Sequence, residues 1–379
     1  MILTLTLNPS LDRTIEIAAL DRGAVIRAAA ARLDPGGKGV NVSRALLANG
    51  VASRAVVPFG GDEGRQLVRL LAAEGLDMVT VPVTGRTRSN VTLAEPDGTV
   101  TKINEPGTAL SAVELDTIAD AVLAAAHGQA LAGGGGPGDG RSDGPRDDRS
   151  DGLSPGRSDG LRRSLDDGPG ASRGDGSGGG RGADWVVASG SLPPEVPADV
   201  YARLCRRFAG AGIQVAVDTS GPALSCAVGA APALVKPNLE ELGQVTGRPL
   251  LRLGDVVEAA GVLRAAGARR VLASLGADGA VLVEDGGVWY GRAPVAGPRS
   301  SVGAGDAMLA GFLAAGGCGP EALARALAWG AAAVRLPGSR LPGPADIDPA
   351  PVAVGPPDLA CPLTVPHLPP APAAPASLP

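Results

Sequence analysis

The chain opens on an apolar and β-branched run, ILTLTL at 2–7, which predicts a buried strand. Short runs of the same character recur at 54–58, 185–188, 213–217, 234–235 and 270–273. Between them lie stretches of helical character: 38–49 after a Gly-Gly turn, 63–73 with Leu67, Leu70 and Leu71 on one side, then 198–209, 239–245 and 256–265. Strand and helix alternating over this length predict an α/β fold with a doubly wound, mainly parallel sheet and helices on both faces. Two stretches, 12–33 and 87–104, break the alternation. The second reads as a hairpin, SNVTLAE and TVTKIN flanking Pro96-Asp97-Gly98. Together they predict a small β lid over the sheet's carboxyl edge, where open α/β sheets place their ligands.

Composition changes this picture in two places. Of 379 residues, 57 are Gly and 34 Pro, and much of that excess falls in two segments. Residues 128–183 are almost wholly Gly, Asp, Arg, Ser and Pro, with RSDG recurring at Arg141, Arg149 and Arg157. So few apolar side chains cannot offset the entropy of ordering, so a disordered insertion in a surface loop is expected. Residues 342–379 alternate Pro with Ala, Leu and Val and read as a disordered, extended tail. One domain then spans 1–341 around the insertion.

The formal charge of −5 leaves no basic surplus for a nucleic-acid partner. Histidine occurs only at His127 and His367, so any catalysis must rest on carboxylates rather than on a His triad or a His-rich metal site. The four cysteines show no CxxC spacing, which fits a reducing compartment. Pro9 and Asp12 interrupt the first apolar run before it could act as a signal peptide or span a bilayer, so a cytoplasmic protein without membrane partners is expected.

The sharpest chemical signal is Ser301-Val302-Gly303-Ala304-Gly305-Asp306-Ala307-Met308 ahead of a helical run. Its backbone N–H groups would point out of a helix N-terminus, a site suited to a phosphoryl oxygen, and Asp306 there can accept a proton. The same carboxylate could equally serve the helix dipole alone. Pro35-Gly36-Gly37-Lys38-Gly39-Val40-Asn41 combines a cation with a short amide and could hold an anionic, hydroxylated ligand, although a glycine turn with a solvated lysine accounts for it as well. Gly39 in place of Ser or Thr excludes a Walker A loop. Ser189-Gly190-Ser191-Leu192-Pro193-Pro194 is a tight turn whose hydroxyls could face a ligand or cap the chain. In Lys236-Pro237-Asn238-Leu239-Glu240-Glu241, Asn238 and Glu241 share a helix face as oxygen donors suited to hydrated Mg²⁺, and a capping box explains the same spacing. Arg88 and Lys102 are expected opposite each other in the hairpin, where they could grip a phosphate.

Taken in order, TLNPSLD, GGKGVNVSRAL, TRSN, SGSLP, KPNLEE, SLGADGA and VGAGDAM resemble the PfkB branch of ribokinase-like carbohydrate kinases over all of the chain except the insertion and tail. The lysine of GGKG, TLNPSLD and the TRSN hairpin lean toward its 1-phosphofructokinase members, while relatives acting on tagatose 6-phosphate or fructose 6-phosphate share most of the motifs. The resemblance implies a ribokinase-like fold and transfer of the γ-phosphoryl of ATP to the 6-hydroxyl of fructose 1-phosphate, with Mg²⁺. It implies Asp306 as general base and the amides of Gly303, Ala304, Gly305 and Asp306 as an anion hole. Asp12 and Asn41 would bond sugar hydroxyls, with Gly37, Lys38 and Ser191 lining the sugar site. Lys38, Arg88 and Lys102 would clasp the phosphate already on the substrate. Lys236, Ser274, Gly276 and Gly279, with Gly303 and Gly305, would border the nucleotide, and Asn238 and Glu241 would orient Mg²⁺ through water. A homodimer formed through the lid is also implied. Ala307 stands where the family commonly has Ser after the base, which leaves activity expected. The reading from another class, a sugar-phosphate-binding protein without turnover, is weighed against by the intact Asp306 and its neighbours.

Overall fold

A computed structural model describes residues 1–128 and 183–367; the expected insertion, its two end residues apart, and residues 368–379 lie outside the described residues. In chain order the strands are β1 (Ile2–Thr6), β2 (Ser10–Glu16), β3 (Ala30–Gly36), β4 (Ser53–Phe59), β5 (Met78–Pro82), β6 (Arg88–Ala94), β7 (Val100–Asn104), β8 (Trp185–Ser189), β9 (Gln214–Asp218), β10 (Leu234–Val235), β11 (Leu250–Arg252), β12 (Val271–Ser274), β13 (Ala280–Glu284), β14 (Gly287–Arg292), β15 (Ala353–Gly355) and β16 (Pro362–His367). The helices are α1 (Lys38–Ala48), α2 (Gly61–Ala73), α3 (Ala112–Ala126), α4 (Val200–Gly210), α5 (Gly221–Val228), α6 (Leu239–Thr246), α7 (Leu253–Ala265), α8 (Ala304–Ala314) and α9 (Gly319–Val334).

Ten strands form one sheet in the order β15-β14-β13-β12-β10-β9-β8-β1-β4-β5. From β12 to β5 the neighbours run parallel, and β13, β14 and β15 close one end as an antiparallel meander. Side chains alternate between two cores, as strands covered on both faces must. Leu3, Leu5, Val186, Ala188, Val215 and Val217 face α3, α4, α5 and α7. Ile2, Trp185, Val187, Ala216 and Leu234 face α1, α8 and α9. From β1 the chain winds outward to β4 and β5, then returns to β8 on the other side, so β1 and β8 flank the point where connections part and a crevice opens.

The lid is a separate four-stranded sheet, β3-β2-β6-β7. Its hairpin turn closes with Glu95 N–H on Thr99 O at 2.9 Å, while Asp97 accepts from Thr99 N–H at 2.8 Å. That turn pairs Ala94 with Val100, and counting back sets Lys102 against Thr92. Arg88 lies beyond the reach of β7 and pairs with Ser10 of β2, so the two cations do not face each other.

The tail also departs from expectation. β15 adds an edge strand to the large sheet, and β16 pairs with β11. Its prolines did not forbid this, because Pro362 begins its strand, where no ladder N–H is required, and Leu363 is buried in the core.

Candidate active site

The carboxyl ends of the parallel strands gather polar residues. Thr6, Ser189 and Asp218 close β1, β8 and β9 in register, and Lys236 follows β10 directly. Two helix starts meet this edge. Gly37 precedes α1 at φ 116, a conformation that suits glycine, and α1 brings Lys38 and Asn41 in its first turn. α8 starts after Gly303, with Asp306 in its first turn.

Asp218 is almost fully buried and carries two ion pairs, Lys38 Nζ at 2.6 Å from Oδ1 and Lys236 Nζ at 2.9 Å from Oδ2. Burial works to raise this carboxyl, but the two lysines outweigh it and hold the group below the ordinary carboxylate range. Lys38 also lies 3.7 Å from Glu241 Oε1, and these carboxylates raise its amine above the normal lysine value against the opposing effect of burial. The sequence reading put Lys38 on the substrate's phosphate, but the structure joins it to Asp218 and Glu241. The sequence reading missed Asp218; its signal was an acidic residue ending the strand VAVD.

Asp306 is only 7% exposed, and its Oδ2 accepts from Asn41 Nδ2 at 2.9 Å. Burial first, and then the charge of Asp218, push its carboxyl up to about 6; the Asn41 hydrogen bond and the two lysines oppose this only in part. A carboxylate titrating near neutrality can take a proton from an alcohol and return it. Around it the N–H groups of Gly303, Gly305 and Asp306 have no acceptor among the described residues, whereas Ala304 N–H reaches Ser301 O at 3.4 Å. Three amides, rather than the four expected, are therefore free at the head of α8. Asn41 has one N–H of Nδ2 on Asp306 and a buried, unpartnered Oδ1, so the oxygen is placed to accept from a hydroxyl.

Asp12 of β2 accepts from Ser10 Oγ at 2.7 Å and from Asn90 Nδ2 at 2.9 Å, and packs so closely on Gly36 that any Cβ there would collide with its carboxylate. Arg88 donates from Nη1 to Glu105 O at 3.0 Å, while its buried Nε has no partner. Burial lowers its guanidinium, opposed by Asp12 and Glu105. Lys102 is exposed on β7, away from Arg88, and Ser191 is exposed just beyond β8. Asn238 and Glu241 form a reciprocal capping box at α6, Asn238 Oδ1 accepting from Glu241 N–H at 2.8 Å and Glu241 Oε2 from Asn238 N–H at 2.9 Å. Ser274 N–H reaches Pro237 O at 3.0 Å, which brings the turn bearing Gly276 and Gly279 beside that helix start. Among the described residues no three His, Cys, Asp or Glu side chains are grouped to hold a metal. A cavity of about 140 Å³ near Cys205, Gln214 and Arg269 opens at the strands' amino ends, on the sheet edge opposite Asp306.

The fold and site define a ribokinase-like kinase. A plant ribokinase from Arabidopsis thaliana shares the fold at 18% identity and TM-score 0.60, covering 90% of this chain and 95% of its own. The phosphofructokinase-2 of Escherichia coli, solved with potassium, superposes at TM-score 0.73 and 30% identity, covering 91% of this chain and 96% of that one. A 1-phosphofructokinase of Rhodobacter capsulatus is 35% identical over 349 residues, 90% of this chain and 93% of the relative. The model of the pfkB family carbohydrate kinases matches residues 5–137 and 181–346, and this chain belongs to that family. It is a sugar kinase without, among its described residues, a helix long and apolar enough to cross a membrane.

Proposed function

We propose that the protein transfers the γ-phosphoryl group of ATP to the 6-hydroxyl of fructose 1-phosphate, giving fructose 1,6-bisphosphate and ADP. The observation that carries this reading is Asp306, a buried carboxylate held near neutrality at a helix start whose neighbouring amides are free. Asp306 takes the hydroxyl proton as the oxygen attacks in line, and the amides of Gly303, Gly305 and Asp306 bond the oxygens of the transferring group. Lys38, fixed by Asp218 at the sheet edge, supplies positive charge toward the same group. Asn41 Oδ1 and Asp12 accept from sugar hydroxyls, and half-buried Arg88 binds the phosphate already on the substrate. Lys102 does not take part.

Mg²⁺, bound with the nucleotide, would neutralise phosphoryl charge. The donor set fits an ion held through water: Glu241 Oε1 is free of the capping box, while Asn238 Oδ1 is occupied by it. Lid pairing between two copies is supported by Val100 and Ile103, 47% and 57% exposed on the edge strand β7.

Substrate choice is the finer part of the reading, supported by the relative named 1-phosphofructokinase; the phosphofructokinase-2 likeness supports fructose 6-phosphate as the second candidate. Turnover with ATP on fructose 1-phosphate, fructose 6-phosphate and tagatose 6-phosphate tests it. A higher kcat/KM for either 6-phosphate overturns the choice of sugar, and no turnover on any overturns the activity.

A further inference from the structure

The described residues 347–367 lie beyond residue 346, where the family match ends, yet several of them are fastened to the domain. The carbonyls of Cys361 and Leu359 accept from the first-turn N–H groups of α7, Leu253 at 2.9 Å and Gly254 at 3.0 Å. His367 lies against α6 at Gly243, where any Cβ would collide with its ring. Between these anchors Thr364 makes two bonds to Asp278, N–H to Oδ2 at 2.7 Å and Oγ1 to Oδ1 at 2.5 Å.

Asp278 is 8% exposed and ends the tight turn Gly276–Asp278 that follows β12 at the sheet's carboxyl edge. The carbonyls of this turn are tied as well: Tyr290 Oη donates to Asp278 O at 2.8 Å and Arg292 Nε to Ala277 O at 3.1 Å. With the acceptors held, the N–H groups of Gly276 and Ala277 have no acceptor among the described residues, and both residues are exposed. Two free amides beside the start of α6, on the edge that carries Lys236, are donors in search of an anionic or hydroxylated ligand.

We infer that Thr364 is a positioning residue for nucleotide binding: through Asp278 it fixes the Gly276–Asp278 turn so that its two free amides meet phosphate or ribose oxygens of the nucleotide. The inference rests on the proposed ATP-dependent reaction. Thr364 touches no reactant; its bonds fix the Asp278 side chain and so remove part of the conformational freedom that the other ties leave to the turn. The sugar side, built from α1 and the lid, does not contact this tie.

The test uses the full chain, with ADP titrated calorimetrically in the presence of Mg²⁺ and initial rates measured against ATP and fructose 1-phosphate separately. Thr364→Val and Asp278→Ala should weaken ADP binding and raise the KM for ATP by about tenfold, as loss of a part-buried hydrogen bond to a charge implies, with the KM for the sugar phosphate within about twofold of wild type. Thr364→Ser should restore both. If Asp278→Ala does not fold, the two Thr364 variants carry the test. A Thr364→Val protein that melts as wild type and binds ADP as tightly overturns the inference, as does an equal rise in both KM values. A wild-type chain that turns over no sugar phosphate but binds ADP refutes the proposed reaction while the titration still decides the role of Thr364. One that binds no nucleotide overturns both.

Discussion

Replacing Asp306 with Asn should abolish turnover and stabilise the fold, by an amount that depends on pH. The carboxyl titrates near 3.8 when unperturbed and at about 6 in the fold. The folded chain therefore binds this proton more tightly than the unfolded chain. The group's favourable contribution is complete below the unfolded value and is lost as pH rises through about 6. Two units correspond to a cost of about 3 kcal/mol for keeping the ionised carboxylate buried at pH 8, falling to roughly 1.5 kcal/mol at pH 5. Asn has nearly the same shape and can still accept from Asn41, so Asp306→Asn should be about 3 kcal/mol more stable than wild type at pH 8 and gain about half of that at pH 5. Urea titrations at the two pH values measure the difference, and a coupled ADP-release assay measures turnover. A variant no more stable at pH 8 than at pH 5 relative to wild type would falsify the electrostatic account of this site. A variant that still transfers phosphate at more than a trace would remove Asp306 as the base.

Asn41→Ala deletes the bond that opposes the rise of Asp306, so the acid limb of the kcat/KM profile should move up from about 6 by about one pH unit, and a limb that stays in place refutes the coupling. Asp218→Asn removes a neighbouring negative charge, so the same limb should move to lower pH even as turnover falls; a limb displaced upward would contradict the assigned cause. Gly36→Ala places a methyl against the Asp12 carboxylate and should raise the KM for the sugar phosphate about tenfold while leaving that for ATP unchanged, which steady-state kinetics with each substrate varied in turn will check.

Periodicity carried most of the fold. Even the two-residue strand β10 was legible, because Leu234 and Val235 stand just ahead of a proline and the helical stretch at 239–245. What depended on distant packing was not. Asn41 reads along the chain as a sugar-binding amide, and its nitrogen reaches Asp306 only because α1 and α8 lie together across 265 residues of sequence. Lid register was set by one hairpin turn, so the expectation that paired Arg88 with Lys102 failed by several positions although the hairpin itself was read correctly. The C-terminal strands were hidden by composition: their prolines suggested an extended chain, yet extended chain is what an edge strand needs once Leu363 has a core to enter.

Asp218 was illegible for a different reason: its meaning lies in its difference from Asp306. The two are of one residue type and both buried, yet their environments drive them in opposite directions. Asp218 has an ammonium group within 3 Å of each oxygen and stays ionised at a pH where an ordinary carboxylate would begin to protonate. Asp306 has a neutral amide as its hydrogen-bond partner, and the fixed charge of Asp218 raises it further. The lysines therefore do two things. They hold one carboxylate below the ordinary range as an anchor for Lys38, and by being paired with that anchor they offset the rise of the other only in part. Environments that push two carboxylates apart in this way suit one to holding charge and the other to exchanging a proton, and in the proposed reaction it is the second that serves the attacking hydroxyl.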